Sequence, residues 1–305
     1  MTDTKHRRWF LVVRAALSVL ALLWIVHSIP LRSIGATLRG TDLGLLFAGL
    51  GLSLLARLAA AERNLAVSRA LGLPITRAQT LTTLFISNFY SLLAPGPVLG
   101  GAVTVYRYKH HGASVRGSVT ALLGSRAIEC AAFIVGGGAG LLLDPRAEAA
   151  PLRAHLLLAT AVLLCVGVVV LVSGWRLAHT GSAWAAQRAS ARALLPAILQ
   201  VLLTAAAMGA FAGAIGTAVP LLSALWISAV IYVVVLLPIS ISGLGVREVA
   251  LINCLAVLGV PANAAVAISV LLFLDPLLNA LIGGFMQGGL ARSTAASPTH
   301  NASEY

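Results

Sequence analysis

Charged residues are scarce in this sequence. They make up 10% of its 305 residues, whereas about 25% is usual in a soluble globular domain. Hydrophobic residues reach 59%, the mean hydropathy is +0.95, and the apolar residues form long runs. A helix needs about 20 such residues to cross a bilayer. The scarcity of charge therefore excludes an ordinary soluble domain and predicts an all-α polytopic membrane protein.

Acidic residues and cysteines are also few, which limits the available chemistry. The 9 Asp and Glu residues are too few for the carboxylate cluster of a metal-dependent transferase. The 3 cysteines match neither a zinc-site spacing nor a disulfide framework. The sequence also lacks the metalloprotease His-Glu-x-x-His motif, the hydrolase nucleophile elbow and the phosphate-binding loop. We therefore expect no enzyme activity, no metal and no cofactor.

The shortage of acidic residues leaves a formal net charge of +12, with 21 Lys and Arg residues. In a soluble protein this excess would suggest nucleic-acid binding. In a membrane protein it is typical of cytoplasmic loops, which collect Lys and Arg, and of surfaces that face anionic lipid headgroups. We therefore expect a membrane lipid as the partner and no nucleic acid.

The apolar runs predict a single membrane domain over residues 1–305, with about six complete transmembrane helices. The first half covers about residues 10–143 and the second about residues 155–289, and residues 290–305 form a polar tail. The spans are predicted at about residues 10–29, 43–61, 118–143, 155–173, 196–219 and 263–287, and interfacial segments at 64–79 and 176–195.

Two further apolar segments, about residues 80–109 and 223–258, are interrupted by proline and glycine. Proline removes a backbone donor and clashes with the preceding turn. The apolar part before each break, about 15 residues, is too short to cross the bilayer. We predict two broken re-entrant helical hairpins, whose matching positions in the two halves suggest an inverted repeat. The predicted helix-breaking residues are Pro95, Gly96, Pro97, Gly100, Gly101 and Pro238.

The distribution of the basic residues predicts which side of the membrane each loop and terminus lies on. If both broken segments are re-entrant, most Lys and Arg residues outside the apolar runs, Arg63 among them, lie on one side of the membrane. The basic residues left on the other side are Arg32, Arg39, Arg146 and Arg153. The positive-inside rule then predicts cytoplasmic N- and C-termini, and we expect the inner (plasma) membrane.

Ionisable side chains inside apolar segments are costly and mark candidate functional sites. The candidates are Arg126 with Glu129, three residues apart on one helix face, Arg247 with Glu248, directly after the second break, and Asp275 with Asn279, one turn apart. They would form a polar cavity between the hairpins. The alternative, which the sequence leaves open, is that these charges only satisfy one another inside the bundle.

The second break adds the candidate binding residues Ser240, Ser242, Gly243 and Gly245. Glycine permits the turn, serines satisfy freed backbone groups, and the amides that begin the next half-helix favour an anion such as phosphate. A simple kink is the alternative.

Arg107 and Lys109 form a basic edge after the first break, which either attracts lipid phosphates or is a plain cytoplasmic loop. Gly136–Gly138 and Gly283–Gly284 are predicted to allow close helix packing.

Several of these segments resemble one family. The sequence Leu-Pro-Ile-Ser-Ile-Ser-Gly-Leu-Gly-Val-Arg-Glu at 237–248, with its continuation to 261 and Ala265, resembles the hallmark of the flippase-like membrane domain of lysyl-phosphatidylglycerol synthases. Residues 88–95 with Gly101 and Tyr106 are similar to that family's first break, and Ser125-Arg126 followed by Glu129 is similar to its Arg-plus-acid span. The resemblance covers about residues 40–290. Where family members often carry an acid and an arginine, this sequence has Ala102, Val103 and Thr104.

This resemblance implies a protein that moves lipid between leaflets. The sequence ends at Tyr305, which leaves no room for the cytosolic aminoacyl-transferase domain of the bifunctional relatives, so we expect a stand-alone member. Its substrate would be an anionic or aminoacylated phospholipid or a lipid-linked sugar. The alternatives are a non-transporting membrane subunit, acting as a homo-oligomer or with envelope-biosynthesis enzymes, and a small-solute or ion carrier.

Overall fold

The computed structural model describes residues 40–93, 98–146, 183–236 and 245–295. Within these ranges the protein forms eight α-helices and no β-strand. The helices are α1 (Leu43–Ala70), α2 (Arg77–Leu93), α3 (Val98–His110), α4 (Val115–Leu143), α5 (Ala183–Ala214), α6 (Leu221–Leu236), α7 (Val246–Ala256) and α8 (Ala262–Ala295). The predicted all-α fold class is confirmed.

Four segments of these helices are long and apolar enough to cross a membrane: Leu43–Ala70, Val115–Leu143, Ala191–Ala214 and Ala262–Gln287. They correspond to four of the predicted spans, and the predicted spans at 10–29 and 155–173 lie outside the described residues. Large apolar side chains remain on the outside of the bundle, among them Phe47 (67% exposed) and Phe285 (80% exposed). Such a surface suits contact with lipid tails.

The second span is longer than the sequence suggests. Its predicted end near Arg57, Glu62 and Arg63 is wrong, because α1 continues to Ala70 and Arg63 is only 2% exposed. The first part of the predicted interfacial segment 64–79 therefore belongs to this helix. The helix ends just before Gly72, whose φ of 66° is available to glycine at little cost. Arg63 is therefore a residue of the bundle interior and not a loop charge.

Two other helices are also longer in the structure than the sequence predicts. Helix α5 begins at Ala183 and contains Pro196, so the predicted interfacial segment 176–195 and the following span share one helix over their described part. Helix α8 extends to Ala295, so the predicted polar tail at 290–305 begins with helical residues. In both cases helical residues lie beyond the apolar run on which the prediction was based.

Helices α2 and α3 pack as an antiparallel hairpin. The hydroxyls of Ser87 and Thr104 are 2.8 Å apart, and Arg107 Nε donates to Thr83 Oγ1 at 3.2 Å. Moving towards the C-terminus of α2, the contacts thus move towards the N-terminus of α3, as expected for antiparallel helices. The helices end at Leu93 and begin again at Val98, where the break was predicted. Pro95, Gly96 and Pro97 themselves lie outside the described residues.

Gly100 and Gly101 are not helix-breaking residues, which corrects the prediction. Both lie inside α3. A Cβ at Gly100 would lie 2.8 Å from the carbonyl oxygen of Ser87 and one at Gly101 would lie 3.3 Å from Leu122. The glycine at position 100 therefore lets the two arms of the hairpin approach each other closely.

The remaining helices pack around small residues. Helices α1 and α5 are antiparallel, with the backbone N–H of Asp42 donating to the carbonyl of Ala214 at 2.7 Å. A Cβ at Gly137 would lie 2.3 Å from the Cβ of Ala229, and one at Gly283 would lie 2.0 Å from the carbonyl oxygen of Phe85. The predicted packing role of these glycine runs is confirmed.

The second broken segment is described on both sides of its break. Helix α6 ends at Leu236 and α7 begins at Val246, and the two pack against each other. Pro238, Ser240, Ser242 and Gly243 lie outside the described residues. The inverted repeat stays a prediction.

Asp144 caps α4 and connects it to α6. Its buried carboxylate accepts hydrogen bonds from Ser223 Oγ at 2.6 Å and Trp226 Nε1 at 3.1 Å. It also accepts one from the backbone N–H of Arg146 at 3.1 Å. Burial alone would raise the pKa of Asp144, but these hydrogen bonds and the charge of Arg146 outweigh it and place the pKa below its ordinary value of 3.8.

We expect Asp144→Ala to lower the unfolding temperature in detergent by several degrees, because it leaves buried donors of α6 unpaired at about 1–3 kcal/mol each. Asp144→Asn keeps an acceptor and should lose less. Since the pKa is lowered in the folded state, the ionised carboxylate stabilises the protein above pH 3.8. The gap between wild type and Asp144→Asn should therefore shrink as the pH falls below that value. A gap that widens in acid would contradict this assignment.

Candidate functional site

A cluster of charged side chains lies inside the helical bundle. It contains three arginines, Arg57 and Arg63 of α1 and Arg126 of α4, and two carboxylates, Glu129 of α4 and Asp275 of α8. The predicted pairing of Arg126 with Glu129 is present. The two arginines of α1 were not among the predicted site residues.

Glu129 is the centre of this cluster. Its residue is 4% exposed, and its Oε2 accepts from Arg126 Nη1 at 2.9 Å and lies 3.3 Å from Arg63 Nη2. Its Oε1 accepts from Gln200 Nε2 of α5 at 2.7 Å. Gln200 also accepts a hydrogen bond from Arg63. Both carboxylate oxygens are thus engaged by donors from three helices.

Asp275 holds the other end of the cluster. Its Oδ2 accepts from Arg57 Nη2 at 2.7 Å, and its Oδ1 accepts from Asn279 Nδ2 at 2.7 Å. The predicted proximity of Asp275 and Asn279 is present, and the pair also connects α8 to α1. The side chain of Asp275 is only 17% exposed, and a charged group so far removed from water needs such partners.

A pocket adjoins the cluster and is enclosed by α1, α2, α3 and α4. The centres of water molecules can occupy about 50 Å³ of it, enough for a few waters. Its polar lining is Arg57, Arg63, Asn64, Thr80, Thr83, Ser87, Asn88, Ser91, Thr104, Tyr108, Ser125, Arg126 and Glu129. The hairpin α2–α3 therefore supplies a wall of hydroxyl and amide groups opposite the arginines.

The pocket carries an excess of positive charge and of donors. Three arginines face two carboxylates in the cluster, and the side chain of Arg126 is 46% exposed while that of Arg57 is 32% exposed. Arg63 Nε and Asn88 Nδ2 are buried donors without a hydrogen-bond partner. Charge interactions are stronger in such a low-dielectric site than in water. The arrangement can hold an anion.

Arg247 and Glu248 lie elsewhere, between α7 and α8. Arg247 donates from Nε and Nη2 to Glu248 Oε1, at 3.0 and 2.6 Å, and from Nη2 to Ser269 Oγ at 3.2 Å. Its guanidinium carbon lies 5.6 Å from the centre of the Phe273 ring. Glu248 Oε2 accepts the backbone N–H of Gly245, whose φ is 85°, at 2.5 Å. This network fixes the start of α7 and does not line the pocket.

The basic edge after the first break does not line the pocket, although Arg107 bonds to Thr83, which does. Lys109 and His110 follow Arg107 in the last turn of α3. Next in the chain, the pKa of His111 is lowered by burial and by the charges of Arg107 and His110. Among the described residues, no three His, Cys, Asp or Glu side chains lie together in a way that could hold a metal ion.

Sequence reasoning missed most of the polar pocket lining and the amide that bonds to Glu129. The missed residues include Arg57, Arg63, Asn88 and Gln200. Two of them carry a usable signal, because Arg57 and Gln200 lie within apolar runs, where polar groups are expensive. Arg63 lies near the end of such a run, and Asn88, although inside the broken segment 80–109, stands among Thr and Ser residues, so neither carries a comparable signal. Their role depends on which helices become neighbours.

The family model described as the lysylphosphatidylglycerol synthase TM region matches residues 11–283. No curated protein matches the chain.

Proposed function

This chain belongs to the lysylphosphatidylglycerol synthase TM region family, and we propose that it moves lipids with a phosphate-bearing headgroup between the two leaflets of a membrane. The family and the apolar helices make it a membrane protein related to lipid metabolism. The observation that carries the finer proposal is the pocket beside Glu129, where arginines outnumber carboxylates inside an apolar bundle.

The half-exposed Arg126 is the first contact that we propose for the headgroup. An arginine within an apolar bundle raises the free energy unless it is paired, and Glu129 already shares its charge with Arg63. A phosphate can accept two parallel hydrogen bonds from a guanidinium. Arg126 can therefore bind phosphate without giving up its contact with Glu129, and Arg57, which is one-third exposed, adds positive charge nearby.

The hairpin α2–α3 supplies the second half of the proposed path. Its Ser87, Asn88, Ser91 and Thr104 line the pocket opposite the arginines. These groups can replace water around a headgroup while the acyl chains stay in the bilayer. We place the hairpin as a re-entrant segment, since α2 has 17 residues and α3 has 13, and a helix needs about 20 residues to cross.

Passage of a whole headgroup requires the pocket to widen, because the pocket has room for only a few water molecules. We propose that α2 and α3 move away from α1 and α4 when a lipid enters. The sequence contains no nucleotide-binding loop, so we propose passive or ion-coupled movement. We further propose a plasma-membrane location with cytoplasmic termini, in line with the positive-inside rule.

The proposal predicts exchange of fluorescent phosphatidylglycerol between leaflets in vesicles that contain the purified protein. Arg126→Ala should slow this exchange at least about tenfold, because it removes the exposed phosphate donor, worth about 1.4 kcal/mol or more. Glu129 keeps Arg63 and Gln200 as partners in this variant, so the fold should survive. The rate of dithionite quenching of the labelled lipid measures exchange.

Arg77→Ala is the matched control. Arg77 is an exposed arginine that pairs with Glu62 and lies outside the pocket lining, and its loss should leave exchange unchanged. Wild-type vesicles that exchange neither phosphatidylglycerol nor a lipid-linked sugar would contradict transport and would favour the non-transporting subunit. Solute uptake without lipid exchange would favour the small-solute carrier. Equal rates for wild type and Arg126→Ala would overturn the assignment of the site.

A further inference from the structure

We infer that the pocket selects lipids whose headgroup carries phosphate and no ammonium group, so that aminoacylated lipids are poor substrates. This inference rests on the proposed function and narrows its substrate class. It follows from which polar atoms around the pocket are already occupied and which are left without a partner.

The carboxylates in the described part of the chain are already engaged by donors, which limits their capacity for a cationic headgroup. The sequence has 9 Asp and Glu residues. Six of them are described, each with a hydrogen-bond partner: Asp42 with Leu45, Glu62 with Arg77, Glu129 with Arg126, Asp144 with Ser223, Glu248 with Arg247, and Asp275 with Arg57. The other three are Asp3, Glu148 and Glu304, which fall outside the predicted spans.

Glu129 is the carboxylate that lines the pocket. Arg63, Arg126 and Gln200 already engage its two oxygens. A lysyl or other ammonium group could reach it only by displacing one of these donors. Displacement of Arg63 would leave a buried guanidinium without its counter-charge, which is strongly unfavourable.

Among the side chains that line the pocket, the buried atoms that lack a hydrogen-bond partner are donors. Arg63 is 2% exposed and its Nε has no acceptor, and the buried Nδ2 of Asn88 has none either. Both side chains line the pocket. An unpartnered buried donor carries a penalty that an acceptor removes. Phosphate oxygens are strong acceptors, whereas an ammonium offers only donors. A headgroup that enters between α1 and α2 thus gains most when it is anionic.

The test compares labelled phosphatidylglycerol, lysyl-phosphatidylglycerol and phosphatidylethanolamine in otherwise identical vesicles that contain the full chain. We expect phosphatidylglycerol to exchange at least about tenfold faster than lysyl-phosphatidylglycerol. Phosphatidylethanolamine should lie between them, since its headgroup carries one ammonium group and that of lysyl-phosphatidylglycerol carries two. Uptake of radiolabelled inorganic phosphate by the same vesicles distinguishes a free anion from a lipid headgroup. Phosphate uptake without lipid exchange would overturn the inference.

A single isosteric change should reverse the preference. Asn88→Asp replaces the unpartnered donor with a carboxylate of the same shape. We expect it to slow phosphatidylglycerol exchange about fivefold and to speed lysyl-phosphatidylglycerol exchange. Asn253→Asp is the matched control, because Asn253 is exposed on α7, where its amide bonds to the carbonyl of Val249, and it lies outside the pocket lining.

The outcomes separate this inference from the proposed function. Equal exchange of the three lipids, or an Asn88→Asp variant that behaves like Asn253→Asp, would overturn the selectivity while transport stands. If no lipid exchanges, the proposed function fails and the inference fails with it. A faster rate for lysyl-phosphatidylglycerol than for phosphatidylglycerol would show that the pocket accepts ammonium groups and would also overturn the inference.

Discussion

Replacing Glu129 by Gln is expected to destabilise the protein by about 3–5 kcal/mol, the cost of breaking a buried ion pair by removing one partner. The variant keeps the size of the side chain but removes its charge, so Arg63 loses its counter-charge at 2% exposure. The new amide also brings donors towards Arg126 and Gln200, which are donors themselves. The unfolding temperature in detergent and the yield of monodisperse protein would measure the effect.

Glu62→Gln provides the matched control in the same bundle. Glu62 pairs with Arg77 at the surface, where the arginine side chain is 67% exposed. Such exposed pairs contribute about 0–1 kcal/mol, so this variant should unfold close to the wild-type temperature. If Glu129→Gln is as stable as Glu62→Gln, the carboxylate of Glu129 does not balance the charge of the arginines and does not stabilise the bundle.

Gly283→Ala is expected to displace the hairpin and abolish lipid exchange. A Cβ at this position would lie 2.0 Å from the carbonyl oxygen and 2.6 Å from the carbonyl carbon of Phe85. These are backbone atoms of α2, so no side-chain rotation can relieve the clash, and α8 and α2 must separate. Overpacking of this kind typically costs about 1–3 kcal/mol or more. Loss of exchange with a lowered unfolding temperature is the expected result.

Gly51→Ala is the comparison for this variant. Gly51 is exposed on α1, and nothing lies within 4 Å of a Cβ built there. Alanine favours helix over glycine by about 0.5–1 kcal/mol, so Gly51→Ala should be neutral or slightly stabilising and should keep full exchange. Equal behaviour of the two variants would show that α8 and α2 are not in tight contact at Phe85.

The sequence predicts much of the fold because the length of an apolar run and the positions of proline and glycine are local properties that identify membrane helices. Apolar length identifies the four described spans, and the proline and glycine cluster at 95–97 marks the interruption between α2 and α3. The boundary at Arg63 could not be predicted in this way. A charged residue normally indicates the end of a span, and only a tertiary partner makes its burial acceptable.

The site is less predictable than the fold. The contact of Arg126 with Glu129 follows from a spacing of three residues on one helix. The contact of Arg63 with Gln200 joins residues 137 positions apart, and nothing local specifies it. Arg247 shows that a local signal can also mislead. Its position after a break suggests an anion site, but its guanidinium is engaged by Glu248 and Ser269.

Helix α8 contacts both interrupted segments of the protein. Gly283 lies directly against the backbone of Phe85 in α2, and Ser269 accepts a hydrogen bond from Arg247 at the start of α7. In between, Asp275 is bonded to Arg57 of α1. Helix α8, which contains Pro276, therefore joins the α2–α3 hairpin to the second interrupted segment. If the hairpin moves outwards as we propose, we expect α8 and α7 to shift with it, so that the rearrangement involves both halves of the described chain.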